Sequence, residues 1–214
     1  MKQLRSFVLF LCAIVAFGCS AQYYEAANQL TSILSPMLSG SANYRGFVDV
    51  TGTVGVGPDR VGFAGISTTQ GFQYNNWFFM GAGLGIDVAH SANYEGMDGG
   101  SMKTVGTQAM LPIFSDFRFN IGTGTSAGVF IDLKLGAAWF LGDGHLSAGN
   151  VQMGHGAQFL MRPSVGMRFP ISANSKQAFN VGVTYQLITS GNNYTWNGKS
   201  VTLSSIGASL SFEW

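Results

Sequence analysis

The chain has 214 residues, a length that suits one medium-sized domain. Only 10% of these residues are charged, against roughly 25% in soluble domains, whereas glycine contributes 30 residues and phenylalanine 17. If Lys2 and Arg5 leave with an export signal, 9 of the 11 basic residues remain beside 10 acidic ones, and this near balance argues against a nucleic-acid partner.

The first 21 residues are predicted to form a cleaved secretory signal peptide. Lys2 and Arg5 supply its positive n-region, residues 7–17 supply the apolar h-region, and the small residues at 19–21 form the cleavage site. The alternative is a lipoprotein signal in which Cys19 is lipidated, but the residues just before it fit that pattern poorly. Cleavage would remove both cysteines, so the mature fold would contain no disulfide.

Residues 22–42 are predicted to form a short amphipathic helical lead-in. Ala27, Leu30, Leu34 and Met37 recur at helical spacing, and Pro36 is expected to kink or end the helix. A flexible segment without a helix is the alternative interpretation.

From residue 43 onward the apolar period changes to two, the period of a β-strand. No apolar run beyond the signal reaches the roughly 20 residues that a membrane-spanning helix needs. A closed barrel also satisfies every backbone group in lipid. The prediction for 43–214 is therefore an all-β fold, an eight-stranded antiparallel up-and-down transmembrane β-barrel preceded by the short N-terminal helix. The predicted strands are 43–57, 60–73, 77–89, 104–120, 128–141, 155–169, 178–189 and 200–214.

The lengths of the connections alternate around the predicted barrel, apart from the tight first hairpin at 57–59. Those after strands two, four and six are short or intermediate, whereas 90–103, 142–154 and 190–199 are longer. Short periplasmic turns and long external loops are typical of outer-membrane barrels. We therefore expect the three long connections to face the outside of the cell.

One face of each predicted strand is apolar, and all strand charges fall on the other face. In a soluble lipocalin-like barrel, the alternative, that other face would present five aromatic residues to water: Trp77, Phe79, Phe114, Phe130 and Phe140. In a membrane barrel the same face fills the narrow lumen of eight strands. The predicted lumen ion-pair network contains Arg45, Asp49, Asp87, Asp116, Arg118, Asp132, Lys134, Arg162, Arg168 and Glu213.

Two details of the network follow from strand pairing. In the hairpin of strands four and five, one register places Asp116 opposite Lys134 and also Arg118 opposite Asp132. A register shifted by two would place like charges opposite each other, which is destabilising. Closure of the first strand on the last is expected to bring Arg45 and Glu213 within salt-bridge distance. We expect these charges, with Arg162 and Arg168 nearby, to help block free passage.

Aromatic residues on the apolar face concentrate near the predicted periplasmic ends of the strands, as an interfacial girdle requires. They are Tyr44, Phe72, Tyr74, Phe78, Phe117, Phe119, Phe169, Phe179, Phe212 and Trp214, while Trp139 and Phe159 lie near the outer ends. The closing stretch IGASLSFEW, with Phe212 and Trp214, resembles the C-terminal aromatic signal that the outer-membrane assembly machinery recognises.

The stretch GFQYNNWFFMGAGLGIDVA at 71–89 resembles the second hairpin of small eight-stranded outer-membrane β-barrel proteins of Bacteroidota, broadly of the OmpA or opacity type. The resemblance covers about 43–214. It implies a monomer in the outer membrane of a Gram-negative bacterium, with membrane lipid and the barrel assembly machinery as partners and no cofactor. It does not imply one activity, because such barrels serve as anchors, adhesins, enzymes or pores.

No catalytic, cofactor-binding or metal site is predicted. His90, His145 and His155 lack the spacing of metal ligands and are expected to be solvated loop residues. His145 and Ser147 match the His-x-Ser pair of lipid A acyl-chain enzymes, but no acid follows before Glu213 to orient the histidine.

The predicted function is a structural or surface-interaction barrel with a filled lumen. Tyr194 and Trp196 are candidate contacts to an unidentified extracellular ligand, or packing residues of their loop. The alternatives are a narrow solute pore, a lipid-modifying barrel enzyme and a soluble lipocalin-like binder.

Overall fold

Eight long antiparallel strands close into one barrel in the computed structural model, which confirms the predicted all-β fold. The strands are β1 (Asn43–Val56), β2 (Val61–Gln73), β3 (Phe78–Ser91), β4 (Thr107–Ile121), β5 (Gly128–Leu141), β6 (Ala157–Pro170), β7 (Ala178–Thr189) and β8 (Thr202–Glu213). Each pairs with its neighbours in sequence, and β1 pairs with β8.

The structure describes residues 42–56, 61–75, 77–91, 94–95, 101–102, 107–122, 127–141, 147–148, 151–152, 156–171, 177–189, 195–196, 199–200 and 202–214. The predicted signal peptide at 1–21 and nearly all of the predicted helical lead-in at 22–42 lie outside these residues. Within them, no helix has the length and apolar character needed to cross a membrane.

The two ends of the barrel differ in their connections. We call the end that carries Asn43 and Trp214 the terminal rim, where strands are joined through 74–77, 122–127 and 171–177. The opposite end, the loop rim, carries the connection at 57–60 and three longer ones. Each longer connection contains a two-residue strand pair: 94–95 with 101–102, 147–148 with 151–152, and 195–196 with 199–200.

The strands are strongly tilted, as closure of an eight-stranded barrel requires. Directly paired residues can be followed once around the barrel, and the path that leaves β1 at Asn43 returns to β1 at Thr53, ten residues further along. The path runs Asn43, Gln73, Phe79, Arg118, Asp132, Ser164, Thr184, Gly207 and Thr53. Because of this displacement, strand order alone does not show which residues of distant strands face each other across the lumen.

Glycines make room for aromatic rings on both faces of the wall. A β-carbon on Gly166 or Gly182 would lie 2.8 and 3.0 Å from the ring of Phe130, which fills the lumen beside them. On the outer face, a β-carbon on Gly46 would lie 2.4 Å from the indole ring of Trp214. Close ring packing on a bare backbone is a role of glycine inside strands.

The barrel has its apolar residues outside and its charges inside. Large aliphatic side chains point outward along the strands, among them Val54, Ile86 and Val183, which are 69%, 56% and 55% exposed. Charged side chains on the opposite parity are buried in the lumen, including Asp116 and Arg118 at 0% and 1%. This arrangement is the reverse of the soluble lipocalin-like alternative.

A band of outward aromatic rings surrounds the terminal rim. Its rings contact one another between neighbouring strands, as in the pairs Tyr44–Phe72, Phe78–Phe119 and Phe179–Phe212. The prediction that Trp77 shares the lumen face is wrong. Because β3 begins at Phe78, Trp77 lies in the preceding turn, where its ring is 53% exposed and stacks on Phe119 within the band. The other four aromatic residues assigned to the lumen are buried: Phe79, Phe114, Phe130 and Phe140.

Candidate functional site

The centre of the lumen holds a network of five charged residues, which we call the central network: Asp49, Asp116, Arg118, Asp132 and Lys134. The hairpin of β4 and β5 has the predicted register, with Asp116 opposite Lys134 and Arg118 opposite Asp132. The Nζ atom of Lys134 lies 3.1 Å from Oδ2 of Asp116 and 2.5 Å from Oδ2 of Asp132. Nη2 of Arg118 lies 3.3 Å from Oδ2 of Asp132.

Asp49 joins this network from β1, which is not adjacent to β4 or β5 in the wall. Its Oδ1 lies 3.7 Å from Nη2 of Arg118, and its Oδ2 lies 3.6 Å from Nζ of Lys134. The network therefore contains three carboxylates and two bases rather than a ladder of two separate pairs. If all five groups are ionised, it carries one excess negative charge.

Aromatic rings support the guanidinium group of Arg118. Its central carbon lies 4.0 Å from the ring centre of Phe47 and 5.0 Å from that of Phe130. Phe47 in turn packs edge-on against Phe79 with a centroid distance of 4.9 Å. A cation between ring faces gains electrostatic stabilisation, which helps to hold this charge in a narrow lumen.

A second cluster lies at the terminal rim, where Glu213 binds two arginines. Its Oε1 accepts a hydrogen bond from Nη1 of Arg45 at 2.6 Å, so the predicted pair across the β1–β8 closure is present. Its Oε2 accepts a bond from Nε of Arg168 at 2.7 Å. This triad carries one excess positive charge, and its arginine side chains are 17% and 11% exposed.

Asp87 on β3 and Arg162 on β6 form a buried ion pair between strands that are not neighbours. All ten residues of the predicted network thus have inward side chains with opposite-charge partners. These five acidic and five basic groups carry no net charge when all ten are ionised.

Toward the loop rim the lumen becomes apolar. A single cluster of buried residues receives side chains from seven of the eight strands, all except β1, and we call it the apolar layer. Its members are Val61, Phe63, Ala89, Met110, Phe114, Ala138, Phe140, Leu160, Ile188 and Leu203. Phe114 lies at its inner boundary, with its ring centre 5.8 Å from Nζ of Lys134.

A small cavity with room for roughly one water molecule lies between the central network and the β6–β8 wall. Its lining contains charged groups and hydroxyls: Asp49, Thr51, Arg118, Phe130, Asp132, Lys134, Arg162, Ser164, Ser209 and Ser211.

The remaining candidate residues do not assemble into a site within the described part of the chain. His90 at the end of β3 contacts the Thr107 hydroxyl at 3.2 Å. His145, His155 and Tyr194 lie outside the described residues, and Trp196 belongs to a two-residue strand. Among the described residues, no group of histidine, cysteine or acidic side chains could hold a metal ion.

The sequence analysis missed the layered organisation of the lumen. It placed the network charges on the correct face but did not identify the partners of Asp49 or the pairing of Asp87 with Arg162. Leu160, Ile188 and Leu203 could have been found, because they share the lumen parity with Arg162, Gln186 and Ser205. That apolar interruption of a polar face was the available signal.

The fold and its polarity define a class, a closed eight-stranded barrel that is apolar outside and charged inside. Solved structures with a similar fold include the outer membrane enzyme PagL (TM-score 0.45, 17% identity, 77% of this chain and 97% of that one). Neisserial surface protein A is similar at a TM-score of 0.45 and 13% identity, over 79% and 97% of the two chains. OprG from Pseudomonas aeruginosa has a TM-score of 0.45 at 10% identity, over 79% and 95%.

At these identities the likeness concerns the fold alone. No protein-family model matches the sequence, and neither does any curated protein.

Proposed function

We propose that this chain is an integral β-barrel of the Gram-negative outer membrane with a closed lumen, exported through a cleaved signal peptide. Its role is structural or interactive, through the three long connections at the loop rim. The observation that supports this most directly is the reversed polarity of the barrel, in which aliphatic residues face out and ion pairs face in.

The outward surface supports a lipid environment on energetic grounds. Monomeric soluble proteins rarely expose a contiguous apolar patch larger than a few hundred Å². Here exposed aliphatic residues occur on strands all around the barrel, including Val50, Ile66, Leu84, Ile113, Ile131, Val165, Val181 and Leu210. Hydrocarbon removes the unfavourable hydration of such a surface, and the aromatic band at the terminal rim suits the membrane interface.

The filled lumen supports a structural role over a pore. The network residues and the apolar layer fill the lumen with buried side chains from opposite walls, which supports a closed barrel. The expected functional surface is therefore outside the barrel, at the connections 92–106, 142–156 and 190–201. Their partner belongs to the extracellular medium, and Tyr194 and Trp196 are the residues that we propose for its contact.

The test begins with location and closure. The expressed protein should fractionate with the outer membrane and migrate differently in gels before and after boiling, as folded barrels do. Reconstituted into planar bilayers, it should give no conductance steps. Steady unitary currents from the unmodified protein would favour the narrow solute pore instead, and a folded protein in the soluble fraction would exclude both.

The proposed absence of catalysis has a separate test. Expression of the protein and of a Ser147→Ala variant should leave the acyl chains of lipid A identical by mass spectrometry. Loss of an acyl chain with the unmodified protein alone would establish the lipid-modifying alternative.

The finer proposal is that the barrel is of the OmpA or opacity type found in Bacteroidota, monomeric and inserted by the barrel assembly machinery. The hairpin sequence at 71–89 and the aromatic residues Phe212 and Trp214 support it. Depletion of the assembly machinery should reduce the folded form in membranes, and light scattering should give the mass of one chain.

A further inference from the structure

The lumen changes from a charged part, which also holds the rings of Phe47, Phe79 and Phe130, to the apolar layer toward the loop rim. The β6–β8 wall makes the boundary visible. Near the terminal rim, the paired inward residues on this wall are Arg168, Asn180 and Ser211. Further along they are Ser164, Thr184 and Gly207, followed by Gln186 and Ser205. The next row consists of Leu160, Ile188 and Leu203, which are directly paired across the three strands.

The polar part of the lumen is built for hydration. Within the described residues, both polar atoms of the Asn180 amide and of the Gln186 amide are buried without a hydrogen-bond partner. Two guanidinium nitrogens, Nε and Nη1, are likewise buried without a hydrogen-bond partner in both Arg118 and Arg162. Both side chains line the central cavity. Buried polar groups are costly unless they are satisfied, and bound water is the usual partner where protein groups do not reach.

The apolar layer offers water no such partners. The Leu160, Ile188 and Leu203 side chains are all 0% exposed, and Met110 and Phe140 approach the same level from β4 and β5. Gln108 and Gln158 lie one inward position closer to the loop rim, so the layer has polar residues on both sides. Hydrophobic constrictions of this kind can exclude ions from a pore by excluding water.

We propose that the apolar layer, and not the salt-bridge network, is the barrier that closes this barrel to small ions. The charged part of the lumen exchanges single water molecules and small ions through the terminal rim, where Arg45 and Arg168 are partly exposed. On this route they pass the buried rings of Phe47, Phe79 and Phe130. The charges of this part balance, so it admits small monovalent ions of either sign without a strong preference. The ion pairs hold the wall together but do not form the seal.

Thiol protection by silver ion tests the hydration of the two parts. Ser209→Cys places a thiol at the cavity, and Ala138→Cys places one in the apolar layer, each by a small change of volume. In both variants Cys12 and Cys19 are replaced by serine, so that the introduced thiol is the one cysteine of the chain. The proteins are folded in detergent, checked by their gel migration, exposed to Ag⁺, and then alkylated after denaturation. The thiol at 209 should be protected by silver and the thiol at 138 should remain free to alkylate.

Equal protection at both positions, or no protection at 209, would overturn the proposal. Because the labelling is done in detergent, its failure would leave the proposed membrane location untouched.

Conductance tests the seal directly. A triple variant with Leu160→Ser, Ile188→Ser and Leu203→Ser should produce unitary currents in planar bilayers. The matched control, Asp87→Asn with Arg162→Gln, removes the neighbouring ion pair but keeps polar side chains at both positions, and it should stay silent. Currents from the control would place the barrier in the network, and silence of a folded triple variant would show that these three side chains do not form the seal. Either result would overturn the proposal.

Discussion

Arg162 on β6 forms an ion pair with Asp87 on β3, and the two strands are separated in the barrel wall by β4 and β5. The pair therefore bridges the lumen rather than a strand interface. Both side chains are 1–2% exposed, so loss of one partner leaves the other charge buried without compensation.

The first prediction follows from that orphaned charge. Arg162→Gln should lower the free energy of unfolding by about 3 kcal/mol, because removal of one partner from a buried pair is far costlier than removal of both. The added Asp87→Asn change should restore part of the loss. Urea unfolding of the refolded barrel, followed by tryptophan fluorescence, measures both effects.

Arg168→Gln is the matched control at the terminal rim. Glu213 would keep its bond to Arg45, and the site is partly solvated, so the expected cost is roughly 1 kcal/mol or less. A cost equal to that of Arg162→Gln would show that burial does not decide the strength of these pairs.

The second prediction concerns Lys134, which lies within 4.0 Å of three carboxylates. Lys134→Ala should destabilise the barrel by about 3 kcal/mol or more, since it leaves several buried acids without their shared base. Asp116→Ala added to it should recover only part, because Asp49 and Asp132 remain. Strictly additive effects in this double-mutant cycle would mean that Asp116 and Lys134 do not interact.

The hairpin register could be predicted from sequence because both charge pairs lie on neighbouring strands. Asp116 and Arg118 are two residues apart, as are Asp132 and Lys134. One register therefore places both opposite-charge pairs side by side. Lumen and lipid faces were likewise predictable, because strand charges never fall on the apolar parity.

Contacts across the lumen could not be predicted in the same way. They depend on the displacement of ten residues around the barrel, which is a property of all eight pairings at once. Asp49 meets Lys134, and Arg118 lies between Phe47 and Phe130, only because this tilt brings their levels together. Trp77 was assigned to the wrong face for a local reason. Side chains alternate between the two faces only inside a strand, and β3 begins at Phe78, one residue later than predicted.

The third prediction tests which face contacts lipid. Leu133 and Val183 point outward near the middle of β5 and β7. An arginine at either position should cost about 2–4 kcal/mol in a lipid bilayer, the range for a charge at the midplane. Unfolding measured in liposomes gives this value, and a negligible cost at both sites would show that the faces are reversed.

Val56→Arg serves as the depth control for this series. Val56 also points outward, but it ends β1 at the loop rim, where a charge should cost roughly 0–1 kcal/mol. The same cost at positions 56 and 183 would contradict a bilayer centred on the barrel.

The fourth prediction separates assembly from stability at Trp214. Its backbone donates to and accepts from Gly46 at 3.0 Å in both directions, so this residue completes the closure of β1 on β8. Trp214→Ala keeps both backbone bonds and removes a ring that stacks on Phe212 and packs on Gly46 at the outer surface. We expect near-unchanged urea stability of the refolded variant but a lower amount of folded protein in the outer membrane.

Deletion of Phe212 to Trp214 removes the backbone bonds as well and should leave the chain degraded in the periplasm. Quantitative immunoblots of membrane and periplasmic fractions measure these amounts, and normal outer-membrane levels of the deletion variant would count against the assembly role.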